Sequence, residues 1–180
     1  MSGYPHFALD GNAILFTTER YGMRAHASWG SLNDAMLVFL NQDAYDKYCL
    51  SKEDYELRKE LEKEQKKSAG KDTPQGKNKD KKKKYDKKDS NADEKDDQPK
   101  DIVVELKGIE DRVVRLTPNS SDMGSTIISK DGETLYYLAA FEGGYDLWKM
   151  NLRKKETKLL HKMDAGWADM QLDKDGKNLF

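Results

Sequence analysis

The chain has 180 residues, of which 36% are charged and 36% belong to the hydrophobic set, so some part of it carries too little apolar surface to fold. Its 32 Lys and Arg nearly balance 33 Asp and Glu, and a net charge of −1 points to neither nucleic acid nor membrane as partner. No run approaches the roughly 18 apolar residues of a spanning helix. MSGYPHFALDG lacks the basic start and apolar stretch of a signal peptide, and Cys49 alone excludes an intramolecular disulfide. With His6, His26 and His161 scattered, no metal site and no cofactor site is expected.

Residues 1–40 have strand character. PHFALDGNAILFTTERYG, from Pro5, reads as two apolar strands about Asp10-Gly11. Asp-Gly between apolar runs is the strongest short-range hairpin signal, because both residues tolerate the backbone angles of tight turns. Residues 41–70 read as a helical insertion. Asp43 to Tyr48 forms a short helical turn, and Ser51 with Asp54 starts a helix through Tyr55, Leu57 and Leu61 to about Lys67. Its apolar stripe is thin. Residues 71–100 hold 11 Lys against 8 Asp and Glu, with only Tyr85 and Ala92 from the hydrophobic set. Such a composition cannot offset the roughly 1–2 kcal/mol per residue of backbone ordering, so this segment is expected to be a disordered loop. Lys81 to Lys84 offer a polyanion contact, which the acidic run Asp93 to Asp97 opposes by self-neutralising the tract.

Beyond the loop, DIVVELKGIEDRVVRLT from Asp101 reads as strand, charged turn, strand, and resembles YDLWKMNLRKKETKLL from Tyr145. STIISKDGETLYYLAAFEGG from Ser125 and ADMQLDKDGKNLF from Ala168 match the first hairpin, and Gly132 and Gly176 stand 44 residues apart. Hairpin, connector, hairpin in about 44 residues has the period and strand count of a β-propeller blade. The fold class expected is therefore all-β, with antiparallel four-stranded propeller blades. An ordinary meander or sandwich is the alternative.

The expected organisation has blade strands at 1–40, the helical insertion at 41–70 and the charged loop at 71–100. Strands completing the first blade follow at 101–124, a second blade at 125–167, and the start of a third at 168–180. Two to three blades fall short of the four to eight of a closed propeller. The chain opens on a strand and stops within one, so it is read as a piece of a longer protein. Two sheet faces are then left open, through which copies could associate.

GIEDRVVRLTP, ISKDGETLYYLAAFEGGYDLWKMNLRKKETKLL and FALDGNAILFTTERYGMRAHASWGS followed by DAMLVFLNQDAYDKY resemble the propeller region of bacterial tricorn-type serine peptidases. The resemblance covers all but the Lys-rich tract. It implies a parent with propeller repeats, a PDZ-like domain and a C-terminal-processing-type peptidase domain, exported to the periplasm. No segment resembles the catalytic domain, so no catalytic residue is carried over. This stretch would be a non-catalytic scaffold that admits or filters peptides. Its partners would be the remaining blades, the PDZ and peptidase domains, and peptide substrates. A TolB-like interaction module without peptidase activity is the alternative.

The residues themselves point the same way. Ser28, His26 and Asp34 supply the types of a nucleophile, a base and an acid, but WGSLND reads as loop. Cys49 reads as a small hydrophobe. LDKDG near Asp173 lacks the ligand pattern of a calcium loop, and both phosphate-binding glycine motifs are missing. Gly143-Gly144 is read as a connector needing positive φ. Trp148 falls on a core face by alternation. Arg20, Arg24 and His26, with Trp29, are the candidates for channel contacts to peptide carboxylates.

Overall fold

The computed structural model describes residues 2–23, 30–69 and 101–180. Arg24, His26, Ser28 and Trp29, and the charged tract at 71–100, lie outside the described residues. The chain divides into two units, Met1–Lys52 with Ile102–Phe180, and Glu53–Asp101.

The larger unit is mostly β. Its strands are β1 (Ser2–Ala8), β2 (Ala13–Thr18), β3 (Asp34–Phe39), β4 (Val113–Arg115), β5 (Asp122–Ile128), β6 (Thr134–Ala140), β7 (Tyr145–Asn151) and β8 (Glu156–Ala165). They form two antiparallel four-stranded sheets, β1-β2-β3-β4 and β5-β6-β7-β8, neither of which closes on itself among the described residues. A helix, α1 (Gln42–Cys49), follows β3. In the smaller unit, α2 (Lys52–Ala69, counted from the last residue of the larger) has Lys59 over the Tyr55 ring and an Arg58–Glu62 pair at 3.4 Å.

The two sheets repeat one another strand by strand. In β1 the ladder to β2 breaks between Gly3 and His6, and in β5 the ladder to β6 breaks between Met123 and Thr126. Each break inserts a bulge at the same step of a first strand. Counting from these, Ala13, Leu15 and Phe39 stand in register with Leu135, Tyr137 and Met150. All six are buried and belong to a single core cluster. Ala8 and Ile128, both at the turn end of a first strand, are 120 residues apart, whereas Val114 and Leu159, in the fourth strands, are 45 apart. Most of that difference lies in the connection between β3 and β4, and a smaller part in the connection between β2 and β3, which is longer than that between β6 and β7.

That connection corrects one expectation. Asp101–Leu106 is not a strand. Both edges of β3 are already occupied, by β2 and β4, so no ladder remains for it, and Val103 and Leu106 are left exposed. The second hairpin of the first sheet is β3 with β4, its arms separated by the insertion. The returning limb is pinned instead at single points. The Glu105 N–H donates to Leu40 O at 2.7 Å, its carboxylate accepts from Gln42 N at 2.9 Å, and Ile102 packs beside Gly11. Arg112, buried, donates to the carbonyls of Phe39, Lys107 and Glu105. Three carbonyl acceptors are what a buried guanidinium needs to offset its lost hydration.

Helix α1 starts where Asn41 Oδ1 accepts from Ala44 N at 2.9 Å, an N-cap in an extended conformation. Tyr45 and Tyr48 pack on Phe39 with ring centroids 5.7 and 5.1 Å away. Its last turn is satisfied from the other sheet: Arg153, in the β7–β8 turn, donates to the carbonyls of Lys47, Tyr48 and Leu50. A cation on unpaired C-terminal carbonyls complements the helix dipole.

Candidate functional site

The Asp-Gly turns form a row. Gly132 N donates to Ser129 O at 2.8 Å and Gly176 N to Asp173 O at 3.0 Å, so each glycine ends a turn with φ near +70°. At Asp10-Gly11 the turn is closed one residue later, by Asn12 N on Leu9 O at 3.1 Å. Leu9 lies against Gly132, and Lys130, whose ammonium donates to Lys174 O, lies against Gly176. Successive turns of the sequence repeat therefore touch in order. The last hairpin is short: a Leu172–Leu179 bridge flanked by reciprocal bonds between Gln171 and Phe180.

Below the turns, the first strands lie side by side around a groove. A cavity of about 540 Å³ is lined by Tyr4, Pro5 and His6 from β1, Met123 to Thr126 from β5, Tyr145, and Trp167 to Asp169. A second, of about 420 Å³, continues it toward the turns between His6 to Ala8, Ser125 to Ile128 and Met170 to Leu172. The 44-residue step carries Ser125 onto Asp169 and Thr126 onto Met170, so equivalent positions face the groove at equal height. Both bulges open into it, and Tyr4, in the first bulge, takes a left-handed φ of +53°. A non-glycine residue held there costs about 1–2 kcal/mol, and bulges of this kind re-aim side chains beside binding sites.

The groove's polar groups are mutually engaged. The Asp169 carboxyl is held below the ordinary aspartate value by the Ser125 hydroxyl beside it and by the N–H of Met170, from which it accepts at 2.8 Å. Tyr145 donates to Asp122 at 3.0 Å. Burial first, then this carboxylate, raises its phenol. Ser, His and Asp types meet here, yet they do not form a catalytic triad. His6 Nδ1 faces Tyr4 O at 3.3 Å, within its own strand, rather than the Ser125 hydroxyl. A nucleophile needs its proton directed at a base. Among the described residues no group of three or more His, Cys, Asp or Glu is placed to hold a metal ion.

The channel candidates fare differently. Arg20 is described: its N–H donates to Thr18 Oγ1, and its guanidinium stacks over Tyr21 at 5.8 Å, with Arg115 over the same ring at 5.5 Å. It is not among the groove's lining residues. Arg24, His26 and Trp29 fall outside the described residues. Gly144 has a different reason from the positive φ expected of it. Only Gly143 has one, at +135°, whereas a Cβ on Gly144 would lie 2.6 Å from Asp164 O. Trp148 packs on the core, edge-on to Phe141 at 5.1 Å.

The lining residues Tyr4, Ser125, Trp167 and Asp169 were not singled out from the sequence. Their common signal is position: each sits in or just before a repeat's first strand, upstream of an Asp-Gly turn. No family model matches the chain, and comparison with curated proteins and with solved structures returns no match either.

Proposed function

We propose that the chain is a non-catalytic segment of a β-propeller, its two sheets acting as successive blades and residues 168–180 beginning a third. The observation that carries this reading is the alignment of three first-strand segments, at equal height and in sequence order, around one groove. In a propeller the first strands of all blades line the central channel. Two register-matched sheets with a bulge at the same step support the same reading.

By its resemblance to tricorn-type serine peptidases, the segment helps scaffold a periplasmic peptidase and faces the peptides that the enzyme admits. Chemistry belongs to other domains of such a parent. Incubated with unstructured casein-derived peptides, the chain should hydrolyse none, and peptide should shift the amide resonances of Tyr4, Ser125 and Ala168. Turnover that vanishes in Ser28→Ala would overturn the non-catalytic reading. Shifts confined to residues away from the groove would overturn the peptide-facing one.

A further inference from the structure

We propose that the groove captures a primary ammonium group, the α-amino end of an extended peptide. Three aromatic side chains, Tyr4, Tyr145 and Trp167, line the larger cavity together with Asp169, and among the described residues no Lys or Arg lines it. Aromatic faces with one carboxylate and no competing cation select an ammonium ion, through cation–π attraction and a charge-assisted hydrogen bond. Asp169 has lone pairs left for this. The bond it accepts from Met170 N fixes the carboxylate's direction, and with the Ser125 hydroxyl beside it keeps the group ionised at neutral pH.

Tyr4 and Trp167 are 82% and 81% exposed, so their rings stand at the mouth, where an incoming cation meets them first. The left-handed backbone of Tyr4 is the strained feature that places one of them there. The main chain favours an α-amino group over a lysine side chain. β1 and β5 are edge strands of their sheets, so an extended peptide can pair with one of them while its first residue meets Asp169.

This inference rests on the peptide-facing reading for the identity of the amine, and titration calorimetry on the full chain separates the two. The ligands are Ala-Ala-Ala, N-acetyl-Ala-Ala-Ala and N-acetyl-lysine amide, against the unmodified chain, Asp169→Asn and Trp167→Ala. Asn keeps an acceptor for Ser125 and Met170, and an unchanged melting curve checks the fold. Acetylation should weaken tripeptide binding about tenfold or more, and D169N should bring the unmodified peptide to the same level. W167A should lose about two- to fivefold, the size of an exposed cation–π contact. Equal binding of free and acetylated peptides, or an unaffected D169N, overturns the ammonium site and leaves the peptide-facing reading standing. Acetyl-lysine amide binding as tightly as Ala-Ala-Ala overturns the assignment to the α-amino end. Binding of neither tripeptide overturns both.

Discussion

Asp34 is the most informative residue to perturb for stability. Its side chain is wholly buried at the start of β3, and its partners all arrive from the far side of the insertion. Oδ1 accepts from Arg115 Nε at 3.0 Å, Arg115 Nη2 at 2.8 Å and Thr117 Oγ1 at 3.1 Å, while Oδ2 accepts from Ser120 Oγ at 2.9 Å. Thr117 Oγ1 in turn accepts from Ala35 N at 3.2 Å. One carboxylate thus ties residues separated by 81 to 86 positions and holds the short strand β4 to β3. Removing one member of a buried pair costs about 3–5 kcal/mol when the other is left uncompensated. Here Arg115 is 36% exposed and stacks on Tyr21, so water and the ring relieve part of that penalty. Asp34→Ala should therefore cost about 3 kcal/mol, read as a lower urea midpoint at unchanged slope by tryptophan fluorescence. Arg115→Met alone should also destabilise, because it leaves a buried carboxylate with only hydroxyl donors. In the double variant the losses should fall short of additive by about 1 kcal/mol or more. A loss below about 1 kcal/mol for Asp34→Ala, or strict additivity, would refute this account of how the first sheet is closed across its insertion.

Other expectations follow from single contacts. Gly144→Ala should cost more than about 2 kcal/mol, because its Cβ would meet backbone that cannot swing away, whereas Gly166→Ala, with open space around it, should change the urea midpoint little. Arg153→Met should cost roughly 1–2 kcal/mol and raise amide exchange in the last turn of α1, whose carbonyls lose their donors. Replacing residues 53–101 with a Gly/Ser linker of about twelve residues should shift Tm by only a few degrees, since loop-closure entropy varies slowly with length; loss of folding would show the insertion to be part of the core. The Asp146 carboxyl is held below its ordinary value of 3.8 by the N–H groups of Asp164 and Met163. A folded-state pKa below the unfolded one gives stability present above about pH 4 and lost as pH falls through the folded value. Asp146→Asn should flatten that acid-side decline, and an unchanged urea-midpoint profile between about pH 4 and 2.5 would contradict it.

The repeat was legible because hairpin chemistry is local. Asp-Gly with flanking apolar alternation marks a turn whatever surrounds it, and all three marked sites are turns between antiparallel partners. The longer helix was legible from Ser51 and its acidic first turn, and the short turn read at Asp43 to Tyr48 falls within α1. Val103-Val104 misled for the opposite reason. Alternation there satisfies the strand pattern, but whether a strand forms depends on a free edge, and β3 offers none once β4 has paired. Asp34 and Arg112 were equally opaque. A lone Asp and a lone Arg look like surface residues until strands far apart in sequence bury them. The groove was missed because its residues, Tyr4, Ser125, Trp167 and Asp169, share no motif. They share a height in successive first strands, and only the register of the sheets shows it.

Spin-label distances test most directly the stacking of successive sheets as repeats, with equivalent turns side by side. In a Cys49→Ser background, labels would be placed pairwise at Asp10, Asp131 and Asp175, one in each Asp-Gly turn. Neighbouring sheets pack about 10 Å apart, so pairs 10–131 and 131–175 should give short distances, label arms included, with 10–175 longer than either. The contacts of Leu9 with Gly132 and of Lys130 with Gly176 require this order. If instead either neighbouring pair lies a full strand length or more apart, about 23 Å for seven residues, the turns are not in a row and the stacked-blade account is wrong.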